Sequence, residues 1–138
     1  VHDADIGVQA NYLFGLPGDD FASMQKTLDL GIELNTIAWN AYAVMPFPGS
    51  LLYKQAAERG EQLPESYEGY SYHSYETQPL PTEKLTAAQV LQFRDEAFTK
   101  YHSNPKFLNK IKERYGDIAV DNIKEMTKIK LKRKILGD

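Results

Sequence analysis

Apolar and polar positions follow one another along the chain in blocks that predict strand, helix, strand and helix in turn. An apolar run over 8–15 predicts a buried strand, and apolar residues at helical spacing over 20–34 predict an amphipathic helix. A near-continuous apolar run over 37–45 predicts a second strand that is covered on both faces. Because only short joins separate these elements, we expect a βαβ unit with parallel strands and a right-handed crossover.

The remainder of the chain is predicted to be mainly helical. The polar residues Ser50 and Thr86 are expected to cap two helices. Further helices are expected over 107–115 and 118–136, although the alternation of lysine with apolar residues over 128–132 weakens the second of these assignments. The expected organisation is a βαβ portion over 1–60, a tyrosine-rich irregular loop over 61–84 and a helical extension over 85–138.

Each predicted strand ends in a corner rich in glycine and proline. The first corner is Gly15-Leu16-Pro17-Gly18, and the second is Pro46-Phe47-Pro48-Gly49. Glycine lets a ligand approach the backbone, and proline stiffens the corner. Asp19 and Asp20 are expected to bond the first free N–H groups of the following helix. Ligands of parallel α/β sheets bind at the carboxyl ends of strands, so both corners are candidate ligand sites; tight corners in an unrelated α/β domain are the alternative interpretation.

Composition limits the chemistry that this chain can perform. None of its 138 residues is cysteine, which excludes disulfides, zinc–thiolate sites and any iron–sulfur cluster held by this chain. His2, His73 and His102 are too scattered to form a local metal pair, and we expect them to be surface or structural histidines. No apolar stretch approaches the roughly twenty residues of a membrane span, and nothing at the start resembles a signal peptide, so we expect a cytoplasmic protein without membrane attachment.

Charge is distributed unevenly along the chain. Residues 1–101 contain six Lys or Arg against fourteen Asp or Glu, whereas residues 102–138 contain ten against five. We interpret the basic tail as a solvated helical face that balances an acidic body, with nucleic-acid binding as the less favoured alternative. The residues that would contact nucleic acid are Lys124, Lys128, Lys130, Lys132, Arg133 and Lys134.

The two corners and the helical tail, taken in this order, resemble the later part of a radical SAM enzyme barrel, in the branch associated with cobalamin-binding domains. In that family one strand ends in Gly-Leu/Phe-Pro-Gly-Glu/Asp, and the next ends in Pro-x-Pro-Gly-Thr/Ser followed by Leu-Tyr. Residues 15–19 and 46–53 match these motifs, and the likeness extends over residues 8–115. It implies an α/β fold: a βαβ portion of a partial TIM-type barrel, followed by a mainly α-helical extension.

This resemblance also implies a cofactor and a set of contacts. Leu13 would pack on the adenine of S-adenosylmethionine, and the [4Fe-4S] cluster of the family would need a CxxxCxxC loop that this chain lacks. The chain is therefore predicted to be an inactive carboxyl-terminal fragment with no cofactor bound to it alone, while the parent protein binds S-adenosylmethionine, the cluster and, in some members, cobalamin. The residues implied to contact S-adenosylmethionine are Leu13, Gly15, Leu16, Pro17, Gly18, Asn40, Tyr42, Met45 and Pro46.

The tyrosine-rich loop is a second candidate site. Tyr70, Tyr72, His73 and Tyr75 are candidate substrate or lid residues, and tyrosines that merely fasten the loop to the surface are the other interpretation. The expected partner is the missing amino-terminal part of the same protein. A non-enzymatic interaction domain that self-associates through exposed strand edges is the alternative function.

Overall fold

The computed structural model describes residue 4 and residues 6–138, and the protein is mixed α/β; His2 lies outside the described residues. Two parallel strands, β1 (Gln9–Phe14) and β2 (Ala38–Ala43), form one sheet. Helix α1 (Phe21–Leu34) connects them, and it ends where Asn35 adopts a left-handed backbone conformation. The predicted strand–helix–strand unit with parallel strands is therefore confirmed.

Four more helices follow β2 within the described part of the chain. Ser50 caps the first of them, and Thr86 caps the second through the predicted capping box. None of the described helices is both long enough and apolar enough to cross a membrane. The loop between the first two carries a 3₁₀ turn over Tyr67–Tyr70. The four helices are α2 (Leu51–Glu58), α3 (Ala87–His102), α4 (Pro105–Tyr115) and α5 (Asp117–Lys128).

The helix predicted over 118–136 is too long. Helix α5 ends at Lys128, the backbone is extended at Ile129 and Arg133, and a 3₁₀ turn occupies Lys134–Leu136. The alternation of lysine with apolar residues over 128–132 thus predicted the end of the helix better than the helical pattern did. The chain leaves the helix because Arg133 is buried, with its side chain 0% exposed, and bonds to groups outside α5. A continued α5 does not provide those bonds.

Within residues 6–138, helices pack on only one face of the sheet. Phe14, Trp39, Ala41 and Ala43 are buried in the core, where Trp39 stacks on Tyr101 of α3 with 4.7 Å between ring centroids. Side chains alternate between the two faces of a strand, so the residues between these project to the other side. That second face, called the open face below, is exposed or half-buried and consists of Gln9, Asn11, Leu13, Ala38, Asn40 and Tyr42. The prediction that the second strand is covered on both faces is therefore wrong.

The outer edge of β1 is also uncovered. Ala38 N donates to Val8 O at one end of the ladder, and Val44 N donates to Phe14 O at the other. The backbone N–H and C=O groups of the even-numbered residues of β1 therefore point toward β2. The N–H and C=O groups of Gln9, Asn11 and Leu13 then point away from β2 and, within residues 6–138, have no backbone partner. An uncovered edge of this kind is a template for another strand.

His102 makes the stability of the fold depend on pH. Its ring is buried against Trp39, Phe98, Tyr101 and Phe107, and Nδ1 lies 2.8 Å from the Phe98 carbonyl oxygen. Burial lowers the pKa of His102 below its ordinary value of 6.5. In the unfolded chain His102 binds a proton near pH 6.5, whereas in the folded chain it binds one only at lower pH. The free energy of unfolding should therefore fall as pH drops below about 6.5.

Urea unfolding at pH 7.5 and at pH 5.5 measures this effect. His102→Gln should lose a large part of the difference between the two midpoints. Partial burial, with the nearby Arg94 and Arg133, lowers the pKa of His73 as well, so His73→Gln should also lose some of the difference. Because His73 is more exposed than His102, His73→Gln should retain more of the difference than His102→Gln. An equal pH dependence in His102→Gln and the unmodified chain would contradict the assignment.

Candidate functional site

Two asparagine side chains meet on the open face. Asn11 and Asn40 are register partners in the parallel ladder, and Asn40 Nδ2 donates a hydrogen bond to Asn11 Oδ1 over 3.0 Å. A carboxamide carries two N–H donors and one carbonyl acceptor, so this bond leaves N–H donors on both amides and the carbonyl oxygen of Asn40 free. Flipping both amides exchanges the roles of the two residues and leaves the same kinds of group free. A planar ligand with an adjacent acceptor and donor fits this pair.

Toward the carboxyl end of the strands the open face becomes apolar and aromatic. Leu13 is the register partner of Tyr42 and is 49% exposed despite its size. The ring of Tyr42 lies 4.8 Å from that of Tyr72 in the tyrosine-rich loop, and Phe47 of the second corner lies 6.3 Å from Tyr72. An amide pair followed by an aliphatic and aromatic surface is suited to a flat heterocycle. We call Asn11, Leu13, Asn40 and Tyr42 the ligand wall.

The first corner is closed by its own aspartate. Asp19 Oδ2 accepts hydrogen bonds from the backbone N–H groups of Gly15 (3.0 Å) and Leu16 (2.9 Å), and its Oδ1 accepts one from Ser23 Oγ (2.7 Å). The cap of α1 is Asp20 alone, which forms a capping box with Ser23. The prediction that both aspartates cap the helix is therefore half wrong. These two corner N–H groups are not available to a ligand unless Asp19 moves.

Gly15 is needed for packing as well as for the turn. Its φ is 85°, and a Cβ atom built on it would lie 2.5 Å from Cγ1 of Val90 in α3. Gly18 has no such constraint, since its φ is not positive and no heavy atom lies within 4 Å of its Cβ position. The sequence prediction was that a ligand would occupy the space beside Gly15. Helix α3 of this chain fills that space instead.

A short segment before α3 fastens the first corner. Glu83 N donates to Pro17 O (3.0 Å), and Thr82 Oγ1 donates to Asp19 O (2.8 Å). Lys84 Nζ lies 2.9 Å from Asp20 Oδ2, and its hydrogen bond lowers the pKa of Asp20 to about 2. These contacts join residues far apart in the chain, and no sequence pattern indicated them.

The cofactor contacts implied by the resemblance fall in four different surroundings. Leu13, Asn40 and Tyr42 lie on the open face. Gly15 and Pro17 line a separate cavity of about 290 Å³ that also borders α2. Leu16 and Gly18 are exposed, while Met45 and Pro46 are buried. Asn11 was missed as a site residue, and its only sequence signal was that it is polar within a mainly apolar run.

The candidate residues of the tyrosine-rich loop have different surroundings. Tyr72 contacts the ligand wall, and Tyr70 lies 6.1 Å from Phe47. Tyr75 fastens the loop instead, because its hydroxyl donates to the Asp138 carbonyl oxygen over 3.0 Å. The His73 side chain is exposed.

The basic tail does not form a single cationic helix. Lys130 and Lys132 lie beyond the end of α5, Arg133 is fully buried, and Lys134 pairs with Glu76 over 2.8 Å. Arg133 in particular cannot reach a phosphate group from its position. No group of histidine, aspartate or glutamate residues in the described part of the chain is arranged to hold a metal ion.

The chain matches no protein-family model, no curated protein and no solved structure.

Proposed function

We propose that this chain is the carboxyl-terminal part of a radical SAM enzyme and that its ligand wall contacts the adenine of S-adenosylmethionine. The observation that carries the proposal is the one-sided covering of the parallel sheet. In a closed parallel barrel the helices lie outside, and the other face of each strand lines the interior. Here α1 and α3 pack on one face, while the other presents the ligand wall.

The uncovered edge of β1 supports the same proposal. Parallel sheets are normally buried on both faces and contain more than two strands, because a two-stranded sheet is marginally stable alone. The free N–H and C=O groups of Gln9, Asn11 and Leu13 provide the pairing sites for a preceding strand. Further barrel strands from the parent protein would satisfy these groups and enclose the ligand wall.

The chemistry of the wall suits adenine. This base presents ring-nitrogen acceptors next to an amino donor, and asparagine is its common hydrogen-bonding partner in proteins. The Asn11–Asn40 pair keeps free N–H donors and the free carbonyl oxygen of Asn40. Leu13 and Tyr42 lie next along the same face, where they offer apolar surface to the base or the ribose. These side chains bind and orient a ligand, and they exclude water from one side of it.

The iron–sulfur cluster of the family does not fit this chain. Its irons require thiolate ligands, and the sequence contains no cysteine. We therefore assign no redox step and no radical step to any residue here. In the parent protein the cluster would be held by a segment outside this chain, and the present residues would form part of the binding wall.

Asn40→Leu tests the proposal in the parent protein. Losing the amide pair should weaken S-adenosylmethionine binding by at least about tenfold, since an unpaired polar group costs about 1–3 kcal/mol and 1.4 kcal/mol corresponds to a factor of ten. Equilibrium dialysis with the reconstituted protein measures the dissociation constant.

Gln9→Leu is the matched control, because Gln9 lies on the same face at the opposite end of β1. Its dissociation constant should stay within about twofold of the unmodified protein. An unchanged constant in Asn40→Leu, or an equal loss in both variants, would count against the ligand wall.

A further inference from the structure

The last residues of the chain hold the tyrosine-rich loop. We call residues 133–138 the C-terminal strap. Lys134 N donates to Tyr75 O over 2.9 Å, Tyr75 Oη donates to Asp138 O, and Lys134 Nζ pairs with Glu76. These contacts join residues about sixty positions apart in the chain. The strap and the loop therefore support each other.

Arg133 is the centre of this attachment. Its guanidinium has five N–H donors, and each makes a hydrogen bond of 2.8–3.0 Å. Two donors reach the carboxylate of Asp95 on α3 in a bidentate pair. The other three reach loop groups, namely Tyr72 O, Ser74 O and Thr77 Oγ1. One buried side chain thus joins the strap, α3 and the loop.

The same network extends to the strand that carries the ligand wall. Asp95 Oδ1 also accepts a hydrogen bond from Arg94 Nη1, and Arg94 Nε donates to the Ala41 carbonyl oxygen of β2 over 2.8 Å. Tyr72, whose carbonyl Arg133 binds, places its ring 4.8 Å from that of Tyr42. Arg133 therefore fixes where the loop meets the ligand wall.

We propose that the C-terminal strap is a latch that holds the tyrosine-rich loop as a lid over the ligand wall, with Arg133 as the positioning residue. On both sides of Arg133 the chain is exposed, at Lys132 and at Lys134, so Arg133 is the one buried residue of the strap. Segments with few buried contacts open locally without global unfolding. The latch stands on these contacts alone, whereas its control of ligand access rests on the proposed function.

Amide hydrogen exchange tests the latch in the chain as it is. In the unmodified chain, the amides of Thr77, Gln78 and Lys134 should share one opening equilibrium, within about threefold, and exchange faster than the core of α3. Arg133→Lys keeps the charge and loses the planar fork, so the amides of the loop and of the strap should exchange at least about tenfold faster, by the same factor, and still faster than the core of α3. Lys132→Gln, at the exposed neighbouring position, should leave exchange unchanged.

The outcomes separate the latch from the proposed function. Independent opening of loop and strap in the unmodified chain would overturn the latch, even if Arg133→Lys does not fold. In the parent protein, Arg133→Lys should release S-adenosylmethionine at least about fivefold faster by stopped-flow dissociation. A faster-exchanging loop with unchanged release would overturn the lid. If the unmodified parent does not bind S-adenosylmethionine, the proposed function fails, and the exchange data still decide the latch.

Discussion

Asp95→Ala should lower the free energy of unfolding by about 3–5 kcal/mol, the cost of breaking a buried ion pair from one side. The Asp95 carboxylate accepts hydrogen bonds from Nη1 of Arg94 and from Nε and Nη2 of Arg133. The side chains of these arginines are only 6% and 0% exposed, whereas that of Asp95 is 24% exposed, so water can replace the lost carboxylate only in part. The loop and the strap should lose their shared anchor together.

Urea unfolding followed by circular dichroism measures the change. Glu96→Ala is the matched control, because Glu96 is the next residue on α3 and its carboxylate accepts an exposed hydrogen bond from Gln92. We expect the control to change the free energy of unfolding by less than about 0.5 kcal/mol. A loss below about 1 kcal/mol in Asp95→Ala would contradict a buried network that supports the loop.

Gly15→Ala should destabilise the fold by about 2–4 kcal/mol. Two costs contribute: a positive φ of 85°, which alanine adopts poorly, and a Cβ placed 2.5 Å from Val90 Cγ1. Both act on the junction between the end of β1 and α3, which also positions the ligand wall.

Gly18→Ala, three residues away in the same corner, is the control for Gly15→Ala. It meets no neighbouring atom and no positive φ, so thermal unfolding should shift little. Equal destabilisation by both variants would mean that the corner requires glycine for a reason other than the contact with Val90.

Local patterns predicted the elements well where local chemistry determines them. The capping residues Asp20, Ser50 and Thr86 each bond the backbone N–H three residues ahead, and the helices start there. The two apolar runs located both strands, and the short joins to the helix between them indicated that the strands are parallel.

Features that depend on distant contacts were not predictable in this way. Arg133 belongs to a basic run in sequence, and only its contacts with Asp95 and the loop bring it into the interior. The glycine at position 15 suggested a ligand, whereas the structure places Val90 there. Asn11 and Asn40 are 29 residues apart, and their pairing depends on the strand register. Single-residue patterns carry no information on such partners.

The central claim is that these strands belong to a larger barrel with an iron–sulfur cluster, and the coding sequence upstream of Val1 tests it most directly. We expect an open reading frame that continues upstream and encodes further strand–helix units together with three cysteines in a CxxxCxxC motif. An upstream frame without that motif, or one that begins at this chain, would contradict it.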